Sequence, residues 1–160
     1  MVEERRNIAE ERARLSRELR QWEVLRRTMQ PTHTAQIPET HSDFYDAWWG
    51  WVRSLINRGL DIPPVDRAVI PLPVSGCVTS TADCTESRVR DFVLHSARLK
   101  MKGGSKTKAV REELLIWHPD KFAIFLSFVK EDQKDDMQKI AQGIAMRLID
   151  ILAALSRESS

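Results

Sequence analysis

The chain has 160 residues, 42% of them apolar and 30% charged, and its 25 Lys and Arg against 23 Asp and Glu leave a formal net charge of only +2. That apolar content can fill one core of ordinary size, whereas the small net charge excludes any global electrostatic argument toward nucleic acid or an acidic membrane. Two cysteines, Cys77 and Cys84, have no His or Cys beside them at ligand spacing, so reduced structural thiols are expected rather than a disulfide framework or a zinc site.

Residues 1–30 open with "MVEERRNIAEERARL", which contains no signal-peptide apolar run, and no later apolar stretch approaches the roughly 20 residues of a membrane span. A nuclear or cytoplasmic protein is expected. Ile8, Leu15, Trp22 and Met29 recur every seven residues, with Leu19 and Leu25 between them and neither Gly nor Pro from Val2 to Met29. This pattern predicts one long, charged, coiled-coil-like helix with a narrow apolar stripe. Glu10 with Arg14 and Glu23 with Arg27 are candidate i,i+4 pairs, each contributing about 0.2–0.5 kcal/mol. The stripe needs a partner surface, either the rest of this chain or a second chain, and the oligomeric state is left open.

Residues 31–41, "PTHTAQIPETH" with two prolines and two histidines, read as a linker. Residues 42–84 hold a tryptophan-rich helix and a proline-containing connector. The helix is expected to start at Ser42 or Asp43 as N-cap, with Phe44, Trp48, Trp51, Val52 and Leu55 on one face and Gly59 as a left-handed C-terminal cap. A tryptophan stripe at helical spacing points to core before it points to base stacking. The following "VDRAVIPLPVSG" is broken by Pro71 and Pro73, which leaves an extended connector or at most an edge strand.

Residues 85–157 carry four helical patterns. Glu86 to Lys100 places Val89, Phe92, Val93 and Leu99 on one face, and Lys106 to Trp117 presents Val110, Leu114 and Trp117. After His-Pro-Asp, "KFAIFLSFV" spaces Phe122, Phe125, Leu126 and Val129 helically. Lys134 to Ser156 keeps Met137, Ile140, Ala141, Ile144, Leu148, Ile151, Leu152 and Leu155 in 3.6 register. Asp135 and Asp136 at its start and Arg157 at its end suit the helix dipole. The predicted fold is therefore all-α: a long N-terminal helix, a Trp-rich helix and a C-terminal helical bundle.

No arrangement of nucleophile, base and acid stands out, so no catalytic residue, metal ligand or cofactor is assigned. "GGSKT" at 103–107 lacks the spacing and preceding strand of a phosphate loop and reads as an inter-helix loop. Arg98, Lys100, Lys102, Lys106 and Lys108 place five positive charges in eleven residues with no acidic residue between them. Such a local patch suits a solvated loop, an acidic protein surface, a nuclear-import signal or RNA. Pro119 disfavours helix at His118 yet suits the first turn of a new helix. A helix, tight turn and helix are thus expected, with His118 and Asp120 at the tip and Trp117 anchoring the turn from within.

The succession of helix, basic loop, helix ending in aromatic-HPD-Lys and a later long helix resembles the J-domain of DnaJ-type co-chaperones, with Trp117 at the usual Tyr position. The resemblance implies a contact turn at His118, Pro119 and Asp120, supported by Lys106, Lys108, Arg111 and Lys121, that engages a DnaK-type heat-shock chaperone. Ile116 and Glu112 stand where that pattern has Lys, and Glu113 takes a usually apolar place. The residues from Arg111 to Phe122, the boundary at Val129, Glu131 and Asp132, and the long closing helix are more closely similar to the NF-kappa-B inhibitor-like protein family. Ankyrin repeats of its longer members are absent here. This second resemblance implies a nuclear, non-enzymatic, J-like protein-interaction module. A working co-chaperone is one alternative, and a nucleic-acid adaptor using Arg98 to Lys108 and Trp49 is another. On a third, purely structural reading, His118 and Asp120 only cap two helices.

Overall fold

The computed structural model describes residues 2–28, 39–60, 62–76 and 81–158, and its described residues form seven α-helices joined by turns and short 3-10 segments. In chain order these are α1 (Val2–Thr28), α2 (Glu39–Asn57), α3 (Glu86–Val93), α4 (Ser96–Met101), α5 (Lys106–Trp117), α6 (Pro119–Leu126) and α7 (Lys134–Glu158). The fold is all-α.

Helix α7 is the scaffold. Met137, Ile140, Ala141, Ile144, Leu148, Ile151 and Leu155 are buried along one stripe, against which α3, α5 and α6 pack. Full burial of side chains of this size stabilises by roughly 1.5–3 kcal/mol each before chain entropy is counted. Asp135 and Asp136 lie in the first turn and Arg157 in the last, as the dipole favours.

Helix α2 supplies the aromatic half of the core. Tyr45, Trp48 and Trp49 are buried, and the Trp49 ring lies 4.8 Å from Trp48, 5.2 Å from Trp117 and 5.1 Å from Phe125 in edge contacts. Its indole N–H donates to the Pro71 carbonyl at 3.2 Å, so Trp49 is not a stacking platform for a nucleotide. The helix begins at Glu39, ahead of the Ser42 or Asp43 start expected from the sequence. His41 therefore belongs to the helix rather than to the linker, and residues 31–38 and His33 lie outside the described residues. The His41 ring is buried between the Arg26 side chain and the Leu72 carbonyl, at 3.3 Å from each. Burial first, then the Arg26 charge, lower its pKa from 6.5 to about 4. Gly59 ends the helix at φ +69°, the left-handed conformation expected there.

Helix α1 docks through its C-terminal half. Leu15 and Leu19 are buried, and Trp22 meets Phe44 edge-on at 5.6 Å and Trp51 at 5.9 Å. Trp51 also donates to Glu18 Oε2 at 3.0 Å. The stripe thus finds its surface on this chain, although Ile8 and Leu25 remain exposed. Arg6 pairs with Glu10 at 3.1 Å, and Glu11 with Arg14 at 3.2 Å and Arg58 at 3.6 Å, so Glu10 and Arg14 each take a partner other than the expected one.

The connector after α2 is tied to the segment between α6 and α7. Val65 N–H donates to the Phe128 carbonyl at 2.8 Å and Lys130 N–H to the Val65 carbonyl at 3.0 Å, an isolated parallel bridge of Val65 with Val129. Asp66 accepts from Lys130 Nζ at 3.1 Å, and Arg67 N–H donates to Gln133 Oε1 at 2.7 Å. The core runs without interruption from Leu15 to Leu155. Cys84 is a buried free thiol, its pKa raised by that burial, and Cys77 lies outside the described residues.

The predicted helix from Glu86 to Lys100 is broken into α3 and α4 at His95. This residue takes φ −56° and ψ 135°, and its Nδ1 accepts the Ala97 N–H at 3.3 Å. No proline marks that break.

Candidate functional site

Helix α5 begins at its N-cap Ser105, whose Oγ accepts the Lys108 N–H at 3.3 Å after two glycines at φ +84° and +83°. It ends at Trp117. His118 N–H still donates to the Leu114 carbonyl at 3.0 Å, but His118 itself is extended, at φ −56° and ψ 135°, as the following proline requires. Pro119 then opens α6, and the His118 carbonyl accepts from Lys121 and Phe122 N–H at 2.9 and 2.8 Å. His118 Nδ1 accepts the Asp120 N–H at 3.3 Å, which places the ring proton on Nε2 in the neutral form. One histidine closes one helix and caps the next.

Two aromatic residues flank the turn and hold it from inside. The Trp117 and Phe122 rings stack 5.2 Å apart with planes 16° off parallel, and both are buried. The residues between them are displaced outward: His118, Pro119, Asp120 and Lys121 are all exposed, and the Asp120 side chain is 88% accessible. His118 Nδ1 lies 3.9 Å from Asp120 Oδ2.

The outer face of α5 continues this surface. Lys108, Arg111, Leu115 and His118 follow at i, i+3, i+7 and i+10, which aligns them along one side of a helix and its cap. A shallow groove of about 410 Å³ is lined by Ser105, Thr107, Lys108, Arg111, Glu112 and Leu115. Lys108 and Arg111 enter no ion pair among the described residues, and neither do Lys106 and Lys121. Glu112 is paired with Lys102 at 3.1 Å. Register therefore aligns Lys108, Arg111 and His118 along one side, and the exposed Pro119, Asp120 and Lys121 follow directly at the turn. Lys106 starts the opposite side of α5.

The expected five-charge patch is not one surface. Arg98 is 3% exposed, and its guanidinium lies 4.5 Å from the Phe92 ring centre. Nη1 donates to Ser42 Oγ at 2.7 Å and to Asp46 Oδ2 at 3.0 Å, while Nη2 donates to Asp46 Oδ1 at 3.2 Å and Glu113 Oε1 at 3.1 Å. Lys102 is drawn to Glu112 and, at 3.8 Å, to Glu113. Lys100, Lys106 and Lys108 remain as the exposed cations.

Beneath the turn lies a polar assembly that the sequence did not reveal. Glu113, 2% exposed, accepts a short hydrogen bond from the Tyr45 hydroxyl, which in turn accepts the Trp117 Nε1–H at 2.9 Å. Burial pushes the Glu113 carboxyl above its ordinary range, opposed by the Arg98 charge and the Tyr45 hydrogen bond. Burial, reinforced by the Glu113 charge, raises Tyr45 well above 10.0. The one available signal was Glu113 itself, a carboxylate on the apolar side of a helix.

Among the described residues no three His, Cys, Asp or Glu side chains gather as a metal site, and no helix is long and apolar enough to cross a membrane. Compared with known proteins, the chain matches no family model, no curated protein and no solved structure.

Proposed function

We propose that the chain is a non-enzymatic protein-interaction module of J-like design, which meets a protein partner through the HPD turn and the outer face of α5. One observation carries this reading. Lys108 and Arg111 on α5, and His118, Asp120 and Lys121 at the turn that follows it, are exposed, while Ala109, Val110, Glu113 and Trp117 on the other side of α5 are buried in the core. The exposed cations favour an acidic partner surface, and Asp120 is placed to pair with a partner Arg, a charge-assisted bond stronger than a neutral one. A DnaK-type chaperone is the partner this turn resembles a contact for. The nucleic-acid reading loses support because Arg98 and Trp49 are buried.

The test is single-turnover ATP hydrolysis by a purified DnaK-type chaperone with and without this protein, beside the Asp120→Asn and His118→Gln variants. Stimulation by the wild type that both variants lose makes the module a co-chaperone. A folded wild type that neither stimulates nor binds the chaperone removes that partner. Pull-down with the same two variants against candidate acidic proteins then decides the adaptor reading.

A further inference from the structure

We propose that Tyr45 is a positioning residue for the HPD turn, acting through Trp117 and Glu113 so that the tryptophan-rich helix α2 fixes how the turn is presented. The inference rests on the reading of that turn as the contact surface, and it extends the functional unit to α2 and α4.

The geometry is a closed circuit. Ser42, Tyr45 and Asp46 occupy one turn of α2, and Glu113 and Trp117 occupy one turn of α5. The Tyr45 hydroxyl spans both α5 residues, donating to Glu113 and accepting from the Trp117 indole at 2.9 Å. Arg98 of α4 closes the other side, with Ser42 and Asp46 on one hand and Glu113 Oε1 at 3.1 Å on the other. Trp117 is the residue immediately before His118, and its ring stacks on Phe122 just beyond the turn. A rotation or slide of α5 against α2 breaks directional bonds here in addition to disturbing the aromatic packing.

Stability does not account for this arrangement. Two charges taken out of water lose about as much hydration as their attraction returns, and apolar replacements of a whole buried network are often neutral or stabilising. What the circuit supplies is register between α2 and α5, and the turn inherits that register through Trp117.

Two variants separate positioning from stability. Tyr45→Phe deletes the one oxygen that joins Glu113 to Trp117. The triple variant Tyr45→Phe, Arg98→Met, Glu113→Leu removes the three central members of the circuit and leaves Ser42, Asp46 and the Trp117 indole N–H. Amide hydrogen exchange is read at Lys121 and Phe122, which donate to the His118 carbonyl, and at Ile144 and Leu148 in α7. The expected result in both variants is a loss of protection at the turn of about tenfold or more with α7 unchanged. Equal loss at both places, or none at the turn, overturns the proposal. If the triple variant fails to fold, Tyr45→Phe alone decides it. Chaperone ATPase stimulation is measured on the same samples. A wild type that does not stimulate removes the chaperone reading, while hydrogen exchange at the turn decides positioning independently of it.

Discussion

Glu113 and Arg111 sit two residues apart on α5 and live under different rules. Glu113 is 2% exposed and is held by Tyr45, Arg98 and Lys102, whereas Arg111 is exposed and pairs with nothing among the described residues. Trp117 and His118 repeat the contrast at the helix end, one fully buried and the other 46% exposed in its side chain. A core-facing polar group left unpaired costs about 1–3 kcal/mol, more when it is charged, while an outward cation keeps its water until a partner takes the place of it. The inner face is therefore a record of folding constraints. The outer face is where spare chemistry is available for recognition.

The largest break in that comparison should come from Trp117→Ala, which removes the stack on Phe122, the edge contact with Trp49 and the bond to Tyr45. A loss of about 3–5 kcal/mol is expected in urea unfolding, and a loss below about 1 kcal/mol would deny the residue its anchoring role. Next comes acid. His41 has its folded pKa lowered to about 4, so its contribution is complete above its ordinary pKa of 6.5 and is lost as the pH falls through about 4. That amounts to as much as ~3 kcal/mol, read as the difference between wild type and His41→Gln across the same pH series. Glu113 acts with the opposite sign, because its raised pKa makes its contribution greatest below the ordinary carboxylate range and smaller as the pH climbs. Glu113→Gln should therefore steepen the acid loss.

Ser105→Ala tests the start of α5, which both faces share, and should cost about 1 kcal/mol through the lost N-cap. The smallest effect belongs to the outer face: Lys108→Ala with Arg111→Ala should move thermal stability by no more than about 0.5 kcal/mol while weakening partner binding. A large stability loss there would return these cations to the fold and take them out of the interface.

The contrast between His118 and His95 shows how far sequence reasoning reaches. Both adopt φ −56° and ψ 135°, and both accept an N–H two residues on through Nδ1 at 3.3 Å. Pro119 made the first break legible, whereas nothing after His95 forbids a continuous helix, so the second went unread. Helix α5 was readable to its end residues because the glycine-containing loop before it and Pro119 after it bound the pattern. Periodicity likewise placed the buried stripe of α7. Arg98 was misread for a different reason. Within a basic run it looks solvated, and only Asp46 and Glu113, 52 and 15 residues distant, decide that it is buried. His41 and the Val65–Val129 bridge share that cause, since their partners are set by tertiary contact rather than by neighbours in sequence. The outward display of the HPD side chains, by contrast, followed from local rules alone.

The long separations in this core have a consequence for synthesis. Tyr45 meets Glu113 and Trp117 only 68 and 72 residues further along the chain. At about 5–20 residues per second, a ribosome needs on the order of several seconds to make that length. For a delay of that length after they emerge from the ribosome, Trp48 and Trp49 lack the α5 and α6 aromatics that will cover them. A nascent chain of this protein is, for those seconds, an apolar segment in need of shelter.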